Sequence, residues 1–147
     1  MKTDIKQAEK VRYLSQYRDI MLEIDLMEER LARLDDQITS LKSPVISDMP
    51  KGGGQSMQDI IARKIDLFND INRKLIYAHE AAECIKDAIA RMDLRLDRLL
   101  LEMRHIDCMT YEEMAERLAK VRHDQTPYSI KHTKRLYWAA VDRFAIP

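Results

Sequence analysis

Apolar residues recur every seven positions through much of the first hundred residues. That repeat restricts the chain to long amphipathic helices, each with one stripe to bury. Tyr17, Ile24, Leu31 and Ile38 form one series; Tyr13, Ile20, Met27, Leu34 and Leu41 form a second, offset by three. Together they make an a/d seam, with Glu, Asp and Arg filling the positions between. The spacing predicts one amphipathic helix from about residue 5 to 42.

Two prolines and all three glycines then fall between Ser43 and Gln55, so the helix cannot continue through that segment. Ser56 is placed to cap the next one. From Met57 the seam resumes, with Ile61, Phe68, Leu75, Ala82, Ile89, Leu96 and Met103 in one series. Ile71, Ala78, Ile85, Met92, Leu99 and Ile106 make the other. No Gly or Pro interrupts residues 55–126, but small residues (Ala78, Ala81, Ala82) thin the seam. A break is therefore expected between about Ala82 and Ala88. The division that follows is a first coiled-coil helix over 1–42, a Pro/Gly linker over 43–55, a second coiled-coil helix over 56–86 and a C-terminal module over 87–147.

The fold class is all-α: a long antiparallel helical hairpin or coiled coil followed by a helix-turn-helix. Two seam helices bury each other's stripe poorly unless a third or fourth closes the core. Self-association into a homodimer through Tyr17, Ile20, Ile24, Met27, Leu31, Leu34, Ile38 and Leu41 is thus an expectation beside the intramolecular hairpin.

The C-terminal module reads as short capped helices. Thr110-Tyr111-Glu112-Glu113 fits a capping box, and Met109 and Met114 occupy the positions of a hydrophobic staple. Thr126-Pro127 offers an N-cap followed by proline at N1, although Ser129 is a second possible start. The last helix is expected over about 127–144. Thr133, Leu136, Tyr137, Ala140, Val141 and Phe144 share one of its faces at 3/4 spacing; Lys131, His132, Lys134, Arg135 and Trp138 fall on the other face or its flanks. A recognition helix needs this division, one side packed and the other carrying cations toward phosphates and purine edges. Arg135 suits bidentate guanine reading. Ser129, Lys131 and His132 lie toward the helix N-terminus, where base contacts concentrate. Lys134 adds to the same surface, and Lys120 and Arg122, in the turn, suit phosphate. From Lys120 to Trp138 five basic residues stand against one acidic, on a chain whose formal net charge is zero. That is the pattern of a local docking patch rather than of a protein that coats nucleic acid.

Three stretches carry a resemblance: Asp97-Arg98-Leu99-Leu100-Leu101 through Ile106, Thr110-Tyr111-Glu112-Glu113-Met114-Ala115, and Tyr128-Ser129 through Phe144. They resemble region 4 of bacterial sigma factors and, more closely, the ArpU/RinA-type late transcription regulators of Gram-positive phages and related mobile elements. The linker Ser47-Asp48-Met49-Pro50-Lys51-Gly52-Gly53 is similar to a stretch of the same phage group, so the likeness extends over most of residues 10–146. It implies a sequence-specific transcription regulator that binds double-stranded DNA, with RNA polymerase or another transcription protein as a further partner. The turn from Ala119 to Thr126 is longer than the family's, and Thr133 and Tyr137 replace its more usual aliphatic and histidine residues. Two alternatives stay open: a DNA-packaging subunit like a phage small terminase, and a module that grips a transcription protein rather than DNA.

Other chemistry has little to stand on. Lys51 precedes the triple glycine rather than following it, so no phosphate-binding loop is formed in the usual order. His105 and Cys108 give two metal ligands without a second pair. Glu112 and Glu113 are explained by helix capping. The expectation is a non-enzyme without cofactor or metal, and Cys84 and Cys108 are expected as reduced thiols. No apolar run approaches the ~20 residues that span a bilayer, and the first residues lack an apolar signal core. The expected setting is the cytoplasm of a bacterial host cell, with no membrane partner.

Overall fold

In the computed structural model the chain is all-α. The structure describes residues 2–42, 56–123 and 126–147, with side chains from residue 5 onward and not that of residue 42. The Pro/Gly linker over 43–55, including Lys51 and the triple glycine, lies outside the described residues, as do residues 124 and 125 of the turn.

Among the described residues six helices follow in order: α1 (Lys2–Leu14), α2 (Gln16–Lys42), α3 (Met57–Ala90), α4 (Arg95–His105), α5 (Tyr111–Val121) and α6 (Ile130–Arg143). Only Ser15 separates α1 from α2, and the hydrogen-bond ladder runs past it. Ser15 N–H donates to the Val11 carbonyl at 2.8 Å, and Asp19 N–H donates to that of Ser15 at 2.9 Å. The chain forms two compact units, one of Ile20–Tyr77 and one of Met1–Asp19 with Ala78–Pro147.

Within Ile20–Tyr77, α2 and α3 pack as a long antiparallel pair. The register is marked by Asp35–Lys64 at 2.5 Å and Glu23–Lys74 at 2.7 Å. Exposed pairs of this kind contribute about 0–1 kcal/mol each, so apolar burial is what holds the helices together. Ile24, Met27, Ile60 and Ile71 are buried, and Ile20, Leu31, Leu34, Ile38 and Leu67 are half-buried. The seam that offered itself for self-association is thus largely occupied within the chain. Leu41, at its end, is exposed, and Tyr17 belongs to the other unit and packs against that unit's own core.

That other unit is built on one cluster: Leu14 of α1, Ile85, Ala88 and Ile89 of α3, Leu100, Leu101 and Met103 of α4, Met114 and Leu118 of α5, and Tyr137, Ala140, Val141 and Phe144 of or just beyond α6. The first turns of the chain therefore belong to the C-terminal module. Tyr13 stacks on Phe144 with centroids 5.9 Å apart. Gln7 Nε2 donates to Asp142 Oδ1 at 2.5 Å, and Lys10 Nζ donates to the Asp142 carbonyl at 2.6 Å.

The break in the second long helix lies at 91–94, beyond the expected window of Ala82–Ala88. Ala78, Ala82 and Ala88 are buried; small residues there permit close approach of neighbouring helices instead of thinning the seam to a break. The α3 end is closed by its own chain, Arg91 N–H donating to the Ala88 carbonyl at 3.3 Å and Met92 N–H to that of Ile89 at 3.0 Å. Arg98 Nη1 donates to the Met92 carbonyl at 2.6 Å and to that of Asp93 at 3.2 Å, holding the turn between α3 and α4.

Asp97 ties α4 to α6. Its carboxylate, 2% exposed, accepts from Arg143 Nε at 2.6 Å and Nη2 at 2.8 Å. The carboxylate lies in the first turn of its helix and the guanidinium in the last turn of its own, so both helix dipoles favour the pair. The same contact raises the Arg143 pKa. Removing one partner strands a buried charge, whereas removing both does not. Arg143→Met should therefore lower the unfolding midpoint more than Arg143→Met combined with Asp97→Asn. A double-mutant cycle showing independent effects would refute the coupling.

Candidate nucleic-acid interface

Each helix of the module starts where its local sequence provides a cap. Thr110 Oγ1 accepts the Glu113 N–H at 3.2 Å, opening α5. Met114 is fully buried and Met109 half-buried against the same core, the two ends of the expected staple. At the other end Arg122 N–H donates to the Leu118 carbonyl at 3.0 Å, and His123 takes a left-handed φ of 58° to leave the helix.

The last helix starts later than Thr126-Pro127 would place it. Ser129 is the cap: its Oγ accepts the His132 N–H at 3.1 Å and its carbonyl accepts the Thr133 N–H at 3.0 Å. The residues before it are used for packing on the turn. Tyr128 lies under the Arg122 guanidinium, 3.4 Å from carbon to ring centroid, and meets the His132 ring edge-on at 4.6 Å.

The two faces of α6 separate as their spacing demands. Thr133, Tyr137, Ala140, Val141 and Phe144 are buried and Leu136 half-buried. Lys131, Lys134, Arg135 and Trp138, at 3/4 spacing on the opposite side, are all exposed. No acidic residue falls between Lys131 and Trp138; Asp142, one turn further on the same face, ends the stripe. Lys120, at the end of α5, and Arg122, just after it, are exposed, as is Ser129; His132 is half-buried. The start of α5, by contrast, presents Glu112, Glu113 and Glu116. Cationic surface therefore belongs to α6 and the turn before it.

Two tyrosines outside the expected set shape this surface. Tyr111 receives the Arg104 guanidinium at 4.3 Å and the Lys134 ammonium at 5.3 Å from its ring centroid, drawing cations of α4 and α6 together. Tyr128 does the same for Arg122. The available signal was positional: each tyrosine stands at or just before the start of a module helix.

Beneath the surface, His105 Nε2 and the Tyr137 hydroxyl are 2.9 Å apart. Burial, reinforced by the charges of Arg104 and Arg18, pushes the His105 pKa down to about 4. Burial and Tyr111 push that of Tyr137 up to about 12. Both side chains are neutral at pH 7, so His105 adds no charge to the interface. Among the described residues no three of His, Cys, Asp or Glu converge as a metal site, and no helix is long and apolar enough to cross a membrane.

Comparison of the chain with protein-family models, with curated proteins and with solved structures finds no match.

Proposed function

We propose that the C-terminal unit is a sequence-specific DNA-binding module and that the protein regulates transcription of a phage or mobile genetic element. The observation that carries the DNA reading is the division of α6: one face closes the core, while Lys131, Lys134 and Arg135 form an acid-free exposed stripe. A helix anchored this firmly holds its cations at fixed spacing, which groove recognition requires and a flexible basic segment does not provide. Arg135 would read guanine through O6 and N7. Lys131 and Ser129, near the helix start, would contact base edges or the adjoining phosphates, with His132 flanking them. Lys134, Lys120 and Arg122 would neutralise phosphate and set the register. The phage or mobile-element setting rests on the resemblance to ArpU/RinA-type regulators.

The test is selection of full-length protein on randomised duplexes, followed by titration of the enriched sequence at two salt concentrations. The single tryptophan, Trp138, is 39% exposed on the stripe and reports occupancy by fluorescence. Lys131→Ala with Arg135→Ala should weaken binding of the selected duplex by about 100-fold, since each bidentate base contact is worth about 1–3 kcal/mol. It should also flatten the dependence on log salt as phosphate contacts are lost. Unchanged affinity in a folded double variant would sink the assignment. One observation favours a second reading. Ile130 and Trp138 are 41% and 39% exposed beside the cations, which suits docking on a transcription protein. Enrichment of no duplex would favour that reading.

A further inference from the structure

The contact with α2 covers one stripe of α3, and a second apolar stripe about 100° further round stays in water. Ile60 and Ile71 face the first and are buried. Ile61, Ile65, Phe68, Leu75 and Ile76 follow the second and are 39%, 55%, 53%, 40% and 60% exposed. With Ala62, Asn69 and Asn72 they form a band in which no position is charged. All six charged residues between 61 and 76 (Arg63, Lys64, Asp66, Asp70, Arg73 and Lys74) lie off it. Lys64 and Lys74 pair with α2, and Arg73 pairs with Asp70 on its own helix. In a chain that is 34% charged, an ordinary solvated helix face would not be kept free of charge over four turns.

We infer that a second copy of this chain occupies the band, α3 packing antiparallel on its counterpart about a two-fold axis near Phe68. Its spine of Ile61, Phe68 and Leu75 is the same read in either direction. Ile61 lies seven residues before Phe68 and Leu75 seven after; Ile65 lies three before and Asn72 four after. Reversal therefore brings Ile61 beside the second copy's Leu75 and Phe68 close to its equivalent, the self-complementarity an isologous contact needs. An uncharged band offers nothing to nucleic acid or to a charged peptide.

The area suits the same occupant. At about 200 Å² per large apolar side chain, the five exposed residues leave on the order of 500 Å² in water, the size of the largest apolar patch on a typical monomer, which is often an interaction site. Covering both copies removes about 1,000 Å². The flanking side chains bring this to the lower end of the 1,200–2,000 Å² found in stable interfaces. Asn72, in the same row as Ile65, restricts the register. The pairing stands whether or not the C-terminal unit binds DNA. If it does, the pairing puts two copies of α6 in one particle, as paired half-sites require.

Sedimentation of the full-length protein from about 1 to 100 µM tests this. The wild type should sediment at twice the 17.3 kDa chain mass. Phe68→Glu should sediment as a monomer of unchanged helix content, its dimer dissociation constant raised at least ~100-fold. Ile65→Glu gives the same reading at a second position. Leu26→Glu, at the 53%-exposed Leu26 of α2, should remain dimeric. A monomeric wild type overturns the inference. So does a dimer that survives both Phe68→Glu and Ile65→Glu, or one that only Leu26→Glu disrupts.

Discussion

Phe144→Ala should destabilise the unit that carries α6 by about 3–5 kcal/mol, the cost of removing a fully buried aromatic side chain and leaving a cavity. Phe144 is 1% exposed, stacks on Tyr13 and closes the end of α6, where its N–H donates to the Ala140 and Val141 carbonyls. Its ring therefore joins the first helix of the chain to the last. Little backbone can move into the space, because α1, α4 and α6 all meet there. For a unit of this size, Met1–Asp19 with Ala78–Pro147, the loss corresponds to about 20 °C in its melting temperature. Trp138→Ala, on the exposed face, is the comparison and should cost about 1 kcal/mol or less. Equal effects of the two substitutions in calorimetry would mean that α6 is not anchored by the face assigned to the core.

The second large effect is a loss of stability in mild acid. Unfolded, His105 titrates near its ordinary value of 6.5; folded, burial holds it at about 4. Between those limits the unfolded chain takes up a proton that the folded chain refuses, so stability falls as pH falls through this window. Above about pH 7 the residue is neutral in both states and makes no pH-dependent contribution. Across the whole window the loss approaches about 3 kcal/mol. Carboxylates titrate over part of the same range, and His105→Gln separates the two effects while keeping a polar partner for the Tyr137 hydroxyl. Urea midpoints at pH 7.5 and 4.5 should show the gap between wild type and His105→Gln shift in favour of the variant at the lower pH. A gap that does not change with pH would show that His105 is protonated alike in folded and unfolded chains.

Local features were the most legible. The heptad spacing of Ile20, Ile24, Met27 and Leu31 announces a helix and its buried stripe, because side chains three and four apart lie on one side at 3.6 residues per turn. Thr110 is readable as a cap because the bond it makes closes within one turn. The division of α6 follows for the same reason. Ser129 shows the limit of that reading: two candidate caps stood three residues apart, and the choice went with the packing of Tyr128 on Arg122 and His132.

What tertiary structure decided involves partners far apart in the chain. Asp97 and Arg143 are 46 residues apart, and neither residue's neighbours announce the pair. His105 and Tyr137, 32 apart, looked like a candidate ligand and a family departure; together they form a buried polar contact. The first turns read as the start of a coiled coil, yet Leu14 lies in the core of the C-terminal unit. The heptads of α3 hold two apolar stripes side by side, and periodicity cannot say which one α2 covers, since both repeat every seven residues. Sequence alone determined that the chain is helical, where most helices begin, and that its last helix has a packed face and a cationic one, since each depends on residues within a turn or two. Which stripe meets which, and which charges end up buried, depended on contacts between residues dozens of positions apart, where only three-dimensional packing brings partners together.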